Sequence, residues 1–141
     1  MLVVSELVPA DATPEAAAQV SRLMTLLAGE SRSITPSDLR TVVETNHLFA
    51  AQDRGVIVGL ACLVPMRLPQ GFRLWIESVI LDPDYRGAGT GRALMEAALS
   101  KAKTYGDAPV SLTSNPTRTI AHQLFERLGF RRAETSVFRL Q

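Results

Sequence analysis

Apolar residues recur along this chain in two spacings, one typical of helices and the other of strands. Where they return every three or four positions, they predict a helix that buries one face. Three of the predicted helices begin at a Thr-Pro or Asn-Pro pair, in which the first residue can cap the helix and proline fits its first turn. The predicted helices run from Thr13-Pro14 to about Ala28, from Thr35-Pro36 to Asn46, from Arg92 to about Lys103, and from Asn115-Pro116 to Gly129.

Runs of β-branched and aromatic residues predict the strands. Asp53-Arg54-Gly55 is a turn sequence that joins two of them as an antiparallel hairpin, whereas the prolines and glycine of Pro65–Gly71 predict a loop. The predicted strands are Leu2–Val8, Leu48–Gln52, Val56–Val64, Phe72–Leu81 and Val110–Thr113, with one or two more between Phe130 and Leu140. This order of elements predicts one α/β domain over residues 1–141, of the α+β kind with a mixed sheet.

The composition fits a single soluble domain, since 46% of the 141 residues are apolar and 21% are charged. The formal net charge of +1 argues against a nucleic-acid partner, because such proteins carry a strongly basic surface. The longest uncharged stretch, residues 55–66, is too short for a membrane-spanning helix, and Met1–Glu6 lacks the basic start of a secretory signal. We therefore expect neither a nucleic-acid nor a membrane partner.

Cysteine and histidine are scarce, which bears on metal binding and on the cellular compartment. The single cysteine, Cys62, rules out internal disulfides and fits a reducing compartment, so we expect a cytoplasmic protein. The two histidines, His47 and His122, have no clustered carboxylates near them in the sequence, so no metal site is expected.

The residues from Arg86 to Gly91 form a glycine-rich turn between a predicted strand and a predicted helix. Glycines allow successive backbone amides to point at one spot, and the helix dipole there favours an anion, so a pyrophosphate fits. A P-loop requires Lys-Ser or Lys-Thr after its last glycine, whereas Arg92-Ala93 follows Gly91. The dinucleotide fingerprint fails as well, because no third glycine stands at the required spacing.

What remains is the pattern Arg-x-x-Gly-x-Gly, filled by Arg86, Gly89 and Gly91. Here the chain resembles the GNAT superfamily of acyl-CoA-dependent N-acetyltransferases, and residues 114–116 and 124–130 fall where that family has its second cofactor-binding region. The resemblance covers residues 74–131 well and the N-terminal part only in the order of its elements. It implies a GNAT-like fold, in which a central, mostly antiparallel sheet splays at the cofactor site and about four helices flank it.

The resemblance also implies acetyl-CoA as the co-substrate and suggests its contacts. Backbone amides of the turn would hold the pyrophosphate, and the strand before the turn would pair with the pantetheine arm. Asn115 either contacts the pantetheine arm or only caps the following helix. The implied cofactor-binding residues are Val79, Ile80, Leu81, Arg86, Gly87, Ala88, Gly89, Thr90, Gly91 and Asn115.

Acetyl transfer to an amine requires a base, because most of the amine is protonated at neutral pH. Glu77 lies in a predicted apolar strand just before the cofactor-pairing residues, and similar family members carry a catalytic carboxylate there. The alternative is a Glu77 that is merely solvated on a strand face or that forms a structural hydrogen bond. In the family, a backbone N–H near Val79 would polarise the carbonyl, and the amine would attack directly, without a covalent enzyme intermediate.

Phe125 departs from the pattern of the family, in which many relatives have a tyrosine whose hydroxyl protonates the departing thiolate. Either a water molecule or Ser114 replaces that donor, or the protein is a catalytically weak CoA-binding or regulatory module. Phe125 also lies on the apolar stripe of its predicted helix, where it would serve as a core residue.

The expected acceptor is a small amine or a peptide amine. Residues 1–70 carry seven acidic and five basic side chains, which favours a cationic acceptor. An exposed sheet edge at the C-terminus favours a homodimer.

Overall fold

Helices cover both faces of a five-stranded sheet in the computed structural model, which describes residues 1–141. None of these helices is long and apolar enough to cross a membrane. Short 3-10 turns lie at Pro9–Asp11, Pro83–Tyr85 and Lys103–Tyr105. In chain order the elements are β1 (Leu2–Glu6), α1 (Pro14–Ala28), α2 (Pro36–Thr45), β2 (His47–Asp53), β3 (Val56–Leu68), β4 (Gly71–Leu81), α3 (Thr90–Ala102), β5 (Val110–Leu112) and α4 (Thr119–Arg127).

The local sequence explains where the first helices begin. Thr13 and Thr35 each accept a hydrogen bond at 3.1 Å from the backbone N–H three residues further on, and proline follows each threonine. The predicted starts of α1 and α2 are therefore confirmed. The third helix begins at Thr90, two residues ahead of its predicted start at Arg92.

The strands β1 to β4 pair antiparallel in chain order, and β5 adds to β4 in parallel. Only Val110–Leu112 pair with β4, opposite Leu74–Ile76, so the two strands separate beyond Ile76. The predicted fold, a mixed and mostly antiparallel sheet that splays at one end and carries four helices, is confirmed.

The core consists of two apolar clusters, one on each face of the sheet. The first contains residues of α1 and α2, and the second contains residues of α3 and α4. Leu94 and Met95 of α3 are fully buried in the second cluster. Because they anchor α3 against the sheet, the N-terminus of this helix is held beside the end of β4.

The prediction of a loop over Pro65–Gly71 is wrong, because β3 continues to Leu68 and a two-residue turn leads into β4. The pairing of β3 with β2 ends where His47 lies opposite Leu63, so the rest of β3 has a neighbour only on the β4 side. A proline such as Pro65 is tolerated at such an edge, since no donor is needed on the open side.

The helix α4 begins at Thr119, later than the predicted start at Asn115-Pro116. The Asn115 side chain accepts a hydrogen bond from the N–H of Thr117 at 3.0 Å, and its carbonyl accepts one from the N–H of Arg118 at 3.0 Å. Residues 115–118 are thus a separate turn, and Asn115 caps this turn rather than the helix.

The predicted strands between Phe130 and Leu140 are absent. Residues 131–141 form neither helix nor strand, and every one of them is exposed. The ring of Phe130 still packs on Phe125, with 6.3 Å between the ring centroids, but no strand of this chain lies beside the residues that follow. A β-prone segment becomes a strand only when it has a partner, which explains the difference.

Candidate functional site

The end of β4 presents a free backbone edge towards β5. The parallel pairing stops at Ile76 opposite Leu112, so residues 77–81 have β3 on one side and no strand on the other. Their unpaired N–H and C=O groups face the widening gap between the strands. An extended ligand with amide groups can pair with such an edge as an added strand.

A β-bulge at Ser78 changes which face the side chains of β4 occupy. Ser78 and Val79 together lie opposite a single residue of β3. Ser78 has a φ of 56°, in the left-handed region that residues other than glycine seldom adopt. Because of the extra residue, Glu77 and Ile80 lie on the face covered by α1 and α2, whereas Val79 packs on the opposite face.

The glycine-rich turn leads into an N-terminus of α3 that has no side-chain cap. Gly89 is the cap residue, and no acidic residue lies in the first helical turn, so the first amides remain without partners. Gly87 and Gly89 have φ of 85° and 82°, and a Cβ at either position would meet nothing within 4 Å. The backbone conformation therefore requires glycine, while the space in front of it is open to a ligand.

The strand edge, the turn and α4 enclose a groove of about 600 Å³, a volume typical of small-molecule sites. Eight of the residues predicted to bind the cofactor line it, and Ala88 and Asn115 do not. The eight are Val79, Ile80, Leu81, Arg86, Gly87, Gly89, Thr90 and Gly91.

The groove carries a concentration of positive charge. Arg86 and Arg92 belong to the turn and to the first turn of α3, while Arg118 and Arg127 line the groove from the side of α4. Arg92 is partly neutralised by Glu96, at 2.6 Å. Cations at a helix N-terminus are unfavourable because the helix dipole is positive there, unless an anion binds between them. The arrangement therefore suits a ligand with several phosphates.

Two carboxylates hold the glycine-rich turn in place. Tyr85 donates its hydroxyl to Asp53 at 2.6 Å, which links the turn to the β2–β3 hairpin. Asp82 accepts a hydrogen bond from the N–H of Asp84 at 2.9 Å and pairs with Arg22 of α1 at 2.8 Å. The Tyr85 hydroxyl lowers the pKa of Asp53, and the Asp84 N–H followed by Arg22 lowers the pKa of Asp82.

Replacing Tyr85 by phenylalanine should lower the melting temperature by a few degrees at neutral pH. The hydrogen bond favours the charged form of Asp53, so its contribution is present above the ordinary pKa of about 4 and is lost as the pH falls through the lowered value. The difference in melting temperature between Tyr85→Phe and the wild type should therefore shrink in acid. If the difference in melting temperature instead stays constant from neutral to strongly acidic pH, the hydroxyl does not stabilise the protein through the charged form of Asp53.

Glu77 is exposed on β4, one residue before the bulge. Its cross-strand partner is Cys62, which is buried. Burial, together with the negative charge of Glu77, raises the pKa of the Cys62 thiol to about 11. The thiol is therefore protonated at neutral pH and is not a nucleophile.

Phe125 is buried on α4 and also lines the groove. Its ring packs near His122 and Phe130, with centroid distances of 6.4 Å and 6.3 Å. It is therefore both a core residue and a wall of the groove, and it offers no proton there. Ser114, which follows β5, has a buried hydroxyl oxygen without a hydrogen-bond partner.

Neither histidine lines the groove, and the one that contacts an acid lies far from it. His47 contacts Glu6 at 2.8 Å and the Tyr105 hydroxyl at 2.6 Å, just beyond the C-terminal end of α3. The length of α3 separates this group from the glycine-rich turn by about 20 Å. Nowhere in residues 1–141 do three or more His, Cys, Asp or Glu side chains form a group that could hold a metal ion.

Three residues of the site carry no clear signal in the sequence. Ser78 adopts a left-handed conformation, which the presence of a serine does not predict. Arg22 pairs with Asp82 from α1, a helix that is distant in the chain. Ile120 is spaced with Leu124 and Phe125 as one apolar helix face, which predicts a core residue, yet it is 83% exposed and lines the groove. The late start of α4 explains this, because Ile120 lies in its first turn rather than in its middle.

Comparison with known proteins places most of the chain in one family. The model of the family described as the Acetyltransferase (GNAT) family matches residues 18–130. A curated relative, glucosamine 6-phosphate N-acetyltransferase of Trypanosoma brucei brucei, is 37% identical over 90 residues, which are 62% of this chain and 59% of the relative. The chain spans less than two thirds of the length of the curated relatives that it matches.

Solved structures share the fold over the whole chain. The crystal structure of a Trypanosoma brucei acetyltransferase is similar with a TM-score of 0.79 and 26% identity, over 100% of this chain and 99% of that chain. An aminoglycoside acetyltransferase from an uncultured soil metagenomic sample has a TM-score of 0.83 and 16% identity, over 99% of this chain and 95% of that chain. At that identity, the second similarity shows the fold alone.

Proposed function

The chain belongs to the GNAT family of acetyltransferases, and on that premise we propose that it transfers an acetyl group from acetyl-CoA to a primary amine. The acceptor is a small molecule or a peptide amine, and it attacks the thioester directly, with Glu77 as the general base. The observation that carries the proposal is the groove, in which an uncapped helix N-terminus lies beside a free strand edge.

Acetyl-CoA would supply the activated acetyl group as a thioester, and the residues of the groove suit its other parts. The amides of Gly87 to Gly91 would bind the pyrophosphate, because no side chain caps this end of α3 and a Cβ at Gly87 or Gly89 would meet no protein atom within 4 Å. The surrounding arginines would add charge-assisted hydrogen bonds. The backbone of Val79–Leu81 would pair with the amides of the pantetheine arm.

The bulge supports the role of Glu77. The cofactor edge of β4 faces the groove, whereas Glu77 projects from the face covered by α1 and α2. An amine that approaches from this face would meet the carboxylate next to the strand edge at Val79. The carboxylate would take the proton that the amine must lose, directly or through a water molecule, and a backbone N–H at the bulge would polarise the thioester carbonyl.

Direct attack is supported by the state of the only cysteine. Cys62 is buried, and its pKa of about 11 keeps it protonated at neutral pH. A covalent acyl-enzyme would need an activated nucleophile, which this thiol is not. The acetyl group would therefore pass from the thioester to the amine in a single transfer.

The acidic excess of the N-terminal half supports a cationic acceptor. Residues 1–70 carry seven acidic and five basic side chains, and this half contains α1 and α2, which cover the face of Glu77. The Trypanosoma brucei brucei relative is named for a phosphorylated amino sugar, which shares the proposed primary amine but carries an anionic phosphate as well, so it supports the amine and not the cationic charge.

The test is steady-state release of CoA thiol from acetyl-CoA with a panel of amino sugars, amino acids, polyamines and short peptides, together with calorimetric titration of CoA. We expect CoA binding and turnover with at least one class of amine. CoA binding without turnover on any amine would contradict the proposed enzyme. Absence of CoA binding would contradict the assignment of the groove.

A second candidate function is a CoA-binding or regulatory module with weak catalysis, and Phe125 is the observation that favours it. The ring is buried in the wall of the groove, and it stands where many family members, by the resemblance of the sequence, carry the tyrosine that protonates the thiolate. A thiol with a pKa of about 8.5 leaves adequately as its anion, so the absence of a donor slows the reaction without preventing it.

The Phe125→Tyr variant should raise the rate of thiol release by up to about tenfold, because the added hydroxyl can protonate the departing thiolate. CoA affinity should change little, since the ring keeps its place in the wall. Phe130→Tyr is the matched control, because Phe130 packs on Phe125 but does not line the groove. A rate that falls in Phe125→Tyr and also in Ser114→Ala would instead indicate that Ser114 already supplies the proton.

A further inference from the structure

The face of the sheet that carries Glu77 extends along the β3–β4 hairpin past the end of its packed core. Residues opposite each other in an antiparallel pair share a face, and every second residue of a strand returns to it. The first apolar cluster includes Cys62, the partner of Glu77, but no residue from 65 to 75. The hairpin strip, as we call the side chains of this face from Glu77 towards the tip of the hairpin, consists of Glu77, Trp75, Val64, Arg73 and Met66.

Trp75 is the only tryptophan of the chain, and its side chain stands outside the core. It is half-buried, yet it belongs to neither apolar cluster and stacks on no other aromatic ring. Its indole N–H donates to no protein group and is not a buried unpaired atom, so it reaches solvent. A large ring that is apolar on its face and polar at its edge, with part of its surface open, suits the recognition of another ring or apolar body.

Arg73 supplies a free positive charge at the far end of the hairpin strip. It is exposed, and it forms no ion pair with a carboxylate of the chain. Arg67, on the opposite face of the same hairpin, instead stacks on Phe72, with 5.4 Å from the guanidinium carbon to the ring centroid. A free guanidinium binds a carboxylate or a phosphate through two parallel hydrogen bonds.

The hairpin strip therefore presents a carboxylate, an aromatic ring and a cation in a row. Glu77 and Arg73 are four residues apart on one strand, so their Cα atoms are separated by about 13 Å. Since the long arginine side chain can lean along the strand, a ligand that bridges the two charges must span roughly 10 Å. The α-carboxylate of a free amino acid lies too close to its own amine to do this.

We propose that the acceptor is a zwitterion, with its primary amine at Glu77, a ring or other flat body on Trp75 and a carboxylate or phosphate at Arg73. This inference rests on the proposed function, because it takes Glu77 as the base that meets the amine. It also refines the charge of the acceptor, since the positive charge is confined to the amine and a negative charge faces Arg73.

The fluorescence of Trp75 tests this binding mode without acetyl transfer, because no other indole is present. Protein saturated with CoA is titrated with tyramine, tyramine O-phosphate and 4-(2-aminoethyl)benzoate. The three share an amine and a ring, and differ in whether the far end is neutral, a phosphate or a carboxylate. At least one anionic amine should change the fluorescence and bind at least about fivefold more tightly than tyramine. Which of the two binds more tightly identifies the anionic group.

Arg73→Gln should abolish this preference, because it weakens the anionic amine about fivefold and leaves tyramine unchanged. Arg67→Gln is the matched control, since it removes the same charge from the opposite face of the hairpin, and it should retain the preference. Thermal melting shows whether both variants are folded. Equal affinities of the three amines for the wild type, a preference that survives in Arg73→Gln, or no change in fluorescence with any amine would overturn the proposal.

Thiol release from acetyl-CoA separates this inference from the proposed function. The three amines should follow the same order in kcat/KM, and Arg73→Gln should act through KM while kcat stays the same. Trp75→Leu should raise KM several-fold for all three, since each loses its stacking surface. Turnover of all three amines with equal kcat/KM would contradict the zwitterionic acceptor and leave acetyl transfer intact. Binding with the expected preference but without turnover would contradict the proposed enzyme alone.

Discussion

Glu77→Gln should lower kcat by at least about a hundredfold and leave CoA binding unchanged. Glutamine has the size of glutamate but cannot take a proton from an ammonium group. Glu77 is exposed and is not among the residues that line the groove, so the cofactor contacts should survive. Thiol release with saturating acetyl-CoA measures the first effect, and calorimetric titration of CoA measures the second.

The pH dependence distinguishes a lost base from a damaged fold. Raising the pH towards the pKa of the acceptor should partly restore the rate of Glu77→Gln, because solvent then supplies the free amine. Glu126→Gln is a matched control, since Glu126 is an exposed acid outside the groove, and it should retain the wild-type rate. Full activity in Glu77→Gln would mean that Glu77 is only a solvated residue of the strand.

Gly89→Ala should raise the dissociation constant for CoA by at least about tenfold. Position 89 has a φ of 82°, a conformation that costs an alanine roughly 1–2 kcal/mol, so the turn must strain or shift. The new methyl group would also enter space that no protein atom fills within 4 Å, which is where the pyrophosphate is proposed to lie. Calorimetric titration with CoA measures the affinity, and thermal melting measures the smaller loss of stability.

Gly91→Ala is the matched control for this turn. Gly91 has an ordinary helical φ, and a Cβ there would lie 3.7 Å from Leu124, a normal contact. Alanine inside a helix is favoured over glycine by up to about 1 kcal/mol, so the variant should fold at least as well and bind CoA nearly as well. An equal loss of affinity in both variants would indicate that crowding of the groove, not the conformation at Gly89, controls binding.

The glycine-rich turn could be predicted from the sequence because its backbone conformation requires glycine at particular positions. The left-handed conformations at Gly87 and Gly89 exclude most side chains, and the spacing of apolar residues predicts the helix that follows. The caps of α1 and α2 were predictable for the same reason, since Thr13 and Thr35 do in the structure what threonine before proline favours.

Features that depend on distant partners could not be predicted in this way. β3 continues through Pro65 because β2 has already ended beside it, and this is a property of the register rather than of the proline. The strands expected after Phe130 need a neighbour that one chain does not provide. Ser78 adopts a left-handed φ because the pairs on either side of it fix the path of β4, and no local pattern reveals that.

The bulge at Ser78 also suggests how such a groove can originate. If Ser78 were removed, Glu77, Val79 and Ile80 would alternate regularly opposite β3 and keep the faces they occupy now. The two apolar clusters would therefore be compatible with an ordinary strand one residue shorter. A bulge increases the local twist and ends regular pairing, so the gap beside β5 needs only a single inserted residue in β4. An insertion of this kind turns a purely structural strand into a binding edge without requiring a change in either core.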